Sequence, residues 1–213
     1  THLGHSFPTR RSSDLWLTEL AQEVTSLGVQ IHGGMGFIEE TGAAQHYRDA
    51  RILTIYEGTT GIQALDLVGR KTLLNQGALL NSLLEEMDQT VEQLRHIDAL
   101  DYQAVALAAA LGAGREALSR LLDNAKHDAD WAGSVSVNFL MLFGYLSGGW
   151  LMARSALQAH AQLQAGTGDA AFLKTKGVSA RFYAEQLLPR VHALLAAISA
   201  GSASIMALDE EQF

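Results

Sequence analysis

The 180 residues between Pro8 and Pro189 contain no proline. Proline removes a backbone donor and clashes with the preceding helical turn, so a run of this length leaves helices free to continue. The run is rich in Ala, Leu and Gln, and lacks the β-branched stretches and proline-marked turns that accompany sheets. An all-α fold is the expectation. At 213 residues, 48% of them hydrophobic, the chain can form one domain of ordinary size or two small ones and bury a substantial core.

Composition removes several chemistries. There is no cysteine, which excludes disulfides, thiolate zinc or iron–sulfur ligation and a thiol nucleophile. His32, His46, His96, His127, His160 and His192 never recur at i, i+3 or i, i+4, so no metal site is expected. With 15 Lys+Arg against 23 Asp+Glu, the formal charge of -8 opposes a nucleic-acid partner.

Residues 1–15, THLGHSFPTRRSSDL, are polar and have no apolar period. They lack the h-region of a signal peptide. The stretch FPTRRSSDL looks like a translated cloning or sequencing adapter joined to a truncated reading frame; a natural disordered arm is the alternative. Excluding Arg10, Arg11 and Asp14 leaves 13 of the 15 basic and 22 of the 23 acidic residues, a balance of -9. The acidic character belongs to the remainder.

From Trp16 to Ile31 apolar residues recur at spacings of three and four, and the pattern ends at Gly33, Gly34 and Gly36. A short helix is expected over 39–50, a connector over 51–57, and a further helix over 59–74. Gly77 marks a kink, after which the stripe continues to Leu94. Beyond it the pattern reads as a bundle, with helices over 102–125, 129–164 and 169–200, the last bent at Pro189. Residues 131–153 carry no charge over 23 positions, long enough to span a bilayer. Four glycines, Ser134, Ser136, Asn138 and Ser147 lower its hydrophobicity and no basic cluster flanks it, so a buried bundle helix without a membrane span is expected.

Taken singly, the candidate motifs are weak. Gly33-Gly34-Met35-Gly36 follows a helix, whereas a dinucleotide fingerprint requires strand, glycines and helix in that order, so it reads as a turn. Gly112-Ala113-Gly114 reads as a close-packing site within a helix. Arg48 and Arg51, with Asp49 between them, read as a structural ion-pair cluster rather than a phosphate-facing pair. Glu57 precedes a helix, where the dipole favours an acidic residue. Such a carboxylate can be held by helix-terminal amides or swing toward a ligand in a cleft, with Gly58 leaving room beside it.

Together, Gln30-Ile-His-Gly-Gly-Met-Gly-Phe-Ile-Glu-Glu40, Tyr47-Arg-Asp-Ala-Arg-Ile52 and Ile55-Tyr-Glu-Gly-Thr-Thr-Gly-Ile-Gln63 resemble the C-terminal signature of acyl-CoA dehydrogenases. The resemblance covers residues 16–72 as the end of the family's C-terminal helical bundle. Residues 73–213 resemble the extra helical domain of the long bacterial branch, which includes enzymes acting on 3-methylmercaptopropionyl-CoA. The architecture implied is the end of that bundle followed by an additional antiparallel helix bundle.

The resemblance assigns roles. Glu57 matches the base that removes the α-proton of an acyl-CoA thioester while a hydride leaves the β-carbon for FAD. Burial between acyl chain and flavin would raise its proton affinity. The backbone amide of Glu57 and a flavin ribityl hydroxyl would donate to the thioester carbonyl, and Gly58 would give the substrate room. Gln30, Ile31, His32, Gly33 and Gly34 match a turn against the ADP part of FAD bound to a neighbouring subunit. Thr59, Thr60 and Gly61 match a second FAD-contacting stretch at a helix start suited to anions; where Gly61 stands, the family usually carries a longer polar or acidic residue. An electron-transferring flavoprotein or similar acceptor, a homo-oligomeric parent and a cytoplasmic location go with the resemblance. The family's upstream domains do not precede Trp16, so the chain is expected to be an inactive fragment of an active parent. Two other functions compete: a flavin-containing, DNA-associated relative involved in alkylation damage, which the charge balance and absence of a basic stripe disfavour, and a non-catalytic helical interaction domain.

Overall fold

The computed structural model describes residues 8–212, with side chains from Leu15 onward. The described residues form helices α1 (Pro8–His32), α2 (Gly34–Phe37), α3 (Ala43–Arg51), α4 (Thr60–Asp66), α5 (Ala78–Arg95), α6 (Asp101–Asn124), α7 (Trp131–Gln164), α8 (Ala170–Phe182) and α9 (Arg190–Ala200), and no strand. The all-α expectation holds. Helix α1 is described from Pro8, so helix extends over residues that lack the apolar pattern. Of the segment 1–15, residues 1–7 lie outside the described residues.

Helix α7 is the axis of the molecule. Its 34 residues span about 51 Å, and α1, α4, α5, α6, α8 and α9 all pack on it. Among the described residues it is also the one helix long and apolar enough to cross a membrane, and 72% of its most apolar window is buried inside the fold. Phe139, Leu140, Leu142, Phe143 and Leu146 are enclosed by the surrounding helices, which accounts for the charge-free sequence.

The glycines of α7 set the distances between helices. A Cβ at Gly144 would lie 2.3 Å from Trp16 Cβ, one at Gly148 would overlap Tyr183 and Trp16, and one at Gly149 would lie 2.7 Å from Leu188 Cδ1. Trp16, 5% exposed, is seated on this glycine face and packs edge-on against Tyr145 and Tyr183. Arg190 of α9, over the Tyr145 ring, donates two 3.0 Å hydrogen bonds to the Glu23 carboxylate of α1 and one of 2.7 Å to the Tyr145 hydroxyl. The Arg190 hydrogen bonds hold the Glu23 carboxyl below its ordinary value. Burial pushes the Tyr183 phenol up, and its hydroxyl donates to the Tyr145 carbonyl at 2.9 Å.

Four local expectations are refined. Gly77 is a full break: Gln76 and Gly77 both have left-handed backbone, and α5 starts afresh at Ala78. The helix expected over 59–74 is α4 followed by a π-helical stretch, Leu67–Thr72, in which Thr72 Oγ1 donates to the Leu67 carbonyl at 2.9 Å. The bend at Pro189 is prepared by a second widened turn, where the Leu188 amide donates to the Tyr183 carbonyl at 2.9 Å. In Gly112-Ala113-Gly114 only Gly114 is a close-packing site, since a Cβ there would meet Leu146 Cδ2 at 2.8 Å while one at Gly112 meets nothing within 4 Å.

Candidate functional site

The three signature segments all lie along or against α1. Helix α1 ends in the turn Gln30 to Gly34, with Gly33 at φ 60°. The Gly33 amide donates to the Gln30 carbonyl, and the Gly36 amide to the Gly33 carbonyl. A 3-10 turn, Glu39–Thr41, leads into α3, which packs back on α1. A second 3-10 turn, Ile52–Thr54, delivers the chain to Tyr56, Glu57 and Gly58, and Thr59 stands at the N-cap position of α4 without a side-chain capping bond.

Glycine has different reasons at different places here. Gly36 is demanded by contact, since a Cβ would lie 2.3 Å from the Val29 carbonyl oxygen; Gly33 is demanded by its positive φ. Gly34 and Gly61 have neither reason: a Cβ on either meets nothing within 4 Å and neither φ is positive. Both lie where the resemblance implies approach by FAD.

Glu57 stands in the turn before α4. Its side chain is exposed, and among the described residues no helix amide donates to its carboxylate, so the helix-held arrangement is not formed. Nor do the described residues enclose it. Instead the main chain is fixed. Gln63, buried one turn into α4, donates from Nε2 to the Glu57 carbonyl. Gly58, at φ 93°, lies against the same amide, where a Cβ would be 3.1 Å from Nε2. The Glu57 N–H has no acceptor among the described residues and remains available as a donor. Gln63 closes the quoted motif, but nothing in its spacing marks it as the residue that holds the turn.

Thr60 donates to the Glu19 carboxylate of α1, which ties the start of α4 to the first half of that helix. Gln30 lies eleven residues further along α1, about 16 Å at 1.5 Å per residue. The fold therefore brings Glu57 to Gly61 together as one group and keeps Gln30 to Gly34 apart as another. Arg48 makes a bidentate pair with Glu39, both distances 2.7 Å, and Arg51 donates to Thr54 Oγ1 at 3.1 Å. Of the expected ion-pair cluster, Arg48 forms a pair, with Glu39 rather than the adjacent Asp49, while Arg51 bonds to a threonine hydroxyl instead of a carboxylate. The Arg48 pair lowers the Glu39 carboxyl. No group of three metal-ligating side chains exists among the described residues.

Several large apolar side chains of these segments are exposed. Ile31 and Phe37 are 83% and 80% exposed, and Met35, Ile52, Ile55, Tyr56 and Ile62 are also open to solvent.

Comparison with known proteins accounts for nearly the whole chain. Residues 13–73 match the family described as acyl-CoA dehydrogenase, C-terminal domain, and residues 83–209 match the one described as acetyl-CoA dehydrogenase C-terminal like. Over 172 residues the chain is 52% identical to a 3-methylmercaptopropionyl-CoA dehydrogenase of Ruegeria pomeroyi, covering 80% of this chain and 29% of that protein. It is 35% identical over 204 residues to the broad-specificity linear acyl-CoA dehydrogenase FadE5 of Mycobacterium tuberculosis, covering 92% and 33%. A caffeyl-CoA reductase-Etf complex subunit of Acetobacterium woodii is 43% identical over 54 residues, covering 25% and 14%. The chain thus spans about a third or less of the length of these relatives.

Proposed function

The chain belongs to the acyl-CoA dehydrogenase family, and from that membership we propose that its residues 16–72 complete the active site of an FAD-dependent enzyme that introduces an α,β double bond into an acyl-CoA thioester. The observation that carries the reading is the Glu57 turn. One residue offers an exposed carboxylate, a backbone N–H without an acceptor, and a carbonyl pinned by Gln63. Removing an α-proton needs a base on one side and a donor to the thioester oxygen, where negative charge develops, on the other. Glu57 supplies both: its carboxylate takes the proton and its N–H donates to the carbonyl. Gln63 and Gly58 hold the turn so that neither group reorganises when the substrate arrives.

The residues fit a flavin nucleotide. Gly34 and Gly61 leave open space that this chain does not itself fill, and the apolar surface around Tyr56 and Ile62 offers a wall that would desolvate a bound thioester and raise the proton affinity of Glu57. When bound, FAD supplies the hydride acceptor. Gln30 to Gly34, some way along α1 from Glu57, would contact a second flavin in an oligomer rather than the one beside Glu57. The Etf named for one relative supports an electron-transferring flavoprotein as the acceptor.

The test is Glu57→Gln in a polypeptide carrying these residues after the upstream two-thirds that its relatives possess. The expected outcome is loss of acyl-CoA dehydrogenation by at least about 100-fold, the lower end of what a positioned base contributes, with flavin still bound. Undiminished turnover would remove Glu57 from the mechanism.

A further inference from the structure

Thr60 is the middle residue of the stretch Thr59 to Gly61, and its hydroxyl proton is already committed. It goes to the Glu19 carboxylate of α1, 41 residues earlier in the chain. Both residues are half-buried, and among the described residues no cation lies within 4 Å of Glu19. A carboxylate accepts hydrogen bonds and cannot donate them, whereas a threonine hydroxyl has one proton and two lone pairs. The proton therefore points at Glu19. What Thr60 Oγ1 still offers to a ligand is a lone pair.

This limits which portion of a flavin nucleotide can lie there. Phosphate oxygens accept hydrogen bonds and carry negative charge. A pyrophosphate would leave the Thr60 lone pair without a donor and would meet the like charge of Glu19, with no cation beside that carboxylate to offset it. An uncharged portion bearing a hydroxyl or an N–H would find an acceptor instead. Next to Thr60, Gly61 leaves room for it, since a Cβ there would meet nothing within 4 Å.

We propose that Glu19 is a positioning residue for the cofactor: by holding the Thr60 proton, it makes Thr60 Oγ1 an acceptor and selects an uncharged hydroxyl- or N–H-bearing portion of FAD at Thr59 to Gly61, excluding the pyrophosphate. The inference rests on the flavin reading given above and names which portion of that cofactor the stretch receives.

The test is titration of FAD into the flavin-free polypeptide that carries these residues after the upstream two-thirds, followed by flavin fluorescence. Glu19→Gln keeps an acceptor for Thr60 through its amide oxygen and should leave FAD affinity within about two-fold of the parent. Glu19→Ala releases the Thr60 proton and should weaken FAD by about five-fold, the worth of one neutral hydrogen bond. Thr60→Val should weaken it equally, Thr60→Ser should match the parent, and Glu19→Ala with Thr60→Val should be no weaker than Thr60→Val alone. Glu19→Lys, which presents a donor and a positive charge to Thr60, should weaken FAD at least as much as Glu19→Ala. Tighter FAD binding by Glu19→Lys or Glu19→Gln would assign the pyrophosphate to this stretch and overturn the proposal. So would additive losses in the double variant. Parent-like FAD binding by Glu19→Ala, with Glu57→Gln still inactive, would overturn this proposal alone; no FAD binding with Glu19 and Thr60 intact would overturn the flavin reading with it.

Discussion

Substituting Gly144 by alanine tests whether the seat of Trp16 on α7 holds the two parts of the chain together. The added Cβ would lie 2.3 Å from Trp16 Cβ and 2.4 Å from Cγ, against the 3.5–4.0 Å at which carbon atoms rest. Because Trp16 Cβ is fixed to the α1 backbone, no rotamer change relieves the overlap. Helix α1 must move by more than about 1 Å, or the indole must leave its seat. Overpacking of this kind costs about 1–3 kcal/mol. Alanine also gains about 1 kcal/mol over glycine in a helix interior, which partly offsets the clash. Gly112→Ala on α6 isolates the clash, since a Cβ there meets nothing within 4 Å and only the propensity gain remains. The two variants should therefore differ by about 1–3 kcal/mol, with Gly112→Ala at or above the parent. At roughly 2–4 °C per kcal/mol for a chain of this size, thermal unfolding followed by circular dichroism resolves the gap. A melting temperature of Gly144→Ala equal to that of Gly112→Ala would refute the packing argument.

Two further outcomes follow from the same structure. Gly58→Ala forces a side chain to φ 93° and against Gln63 Nε2; strain of this kind costs about 1–3 kcal/mol, whereas Gly61→Ala should be neutral or slightly stabilising in chemical denaturation. Glu23 has its folded-state carboxyl below the ordinary 4.5, so its contribution is complete above about pH 4.5 and is lost as pH falls through the lowered value. Glu23→Gln should lower the melting temperature at pH 7 by an amount worth at most about 1 kcal/mol for a pair this exposed, and the difference should vanish on acidification; a difference independent of pH would argue against the Arg190 pair.

Much of the candidate site was legible because its motifs are contiguous. Glu57, Gly58 and Thr59 to Gly61 occupy one turn and one helix start, so their order along the chain is nearly their order in space. The enclosure of Glu57 was not legible, and the described residues do not provide it. The role of Gln63 was hidden for a different reason. A glutamine in the second turn of a helix is unremarkable until the backbone of the preceding turn is seen to present a carbonyl to it.

Helix content was determined by sequence alone. Proline-free length, alanine and leucine content and apolar recurrence at three and four residues act within a single turn, so they specify α5 to α9 wherever those helices lie. The charge-free run of α7 does not show by itself what surrounds it; the tertiary structure places six other helices against it and buries 72% of its most apolar window. Tertiary structure also decided which glycines matter. Gly144 and Gly148 look like Gly112 in sequence, but Trp16, more than 120 residues away, approaches the first two and nothing approaches the third. Local pattern encodes which face of a helix is apolar, whereas the separation between two helices depends on pairs of atoms from distant residues that meet only when the chain is folded.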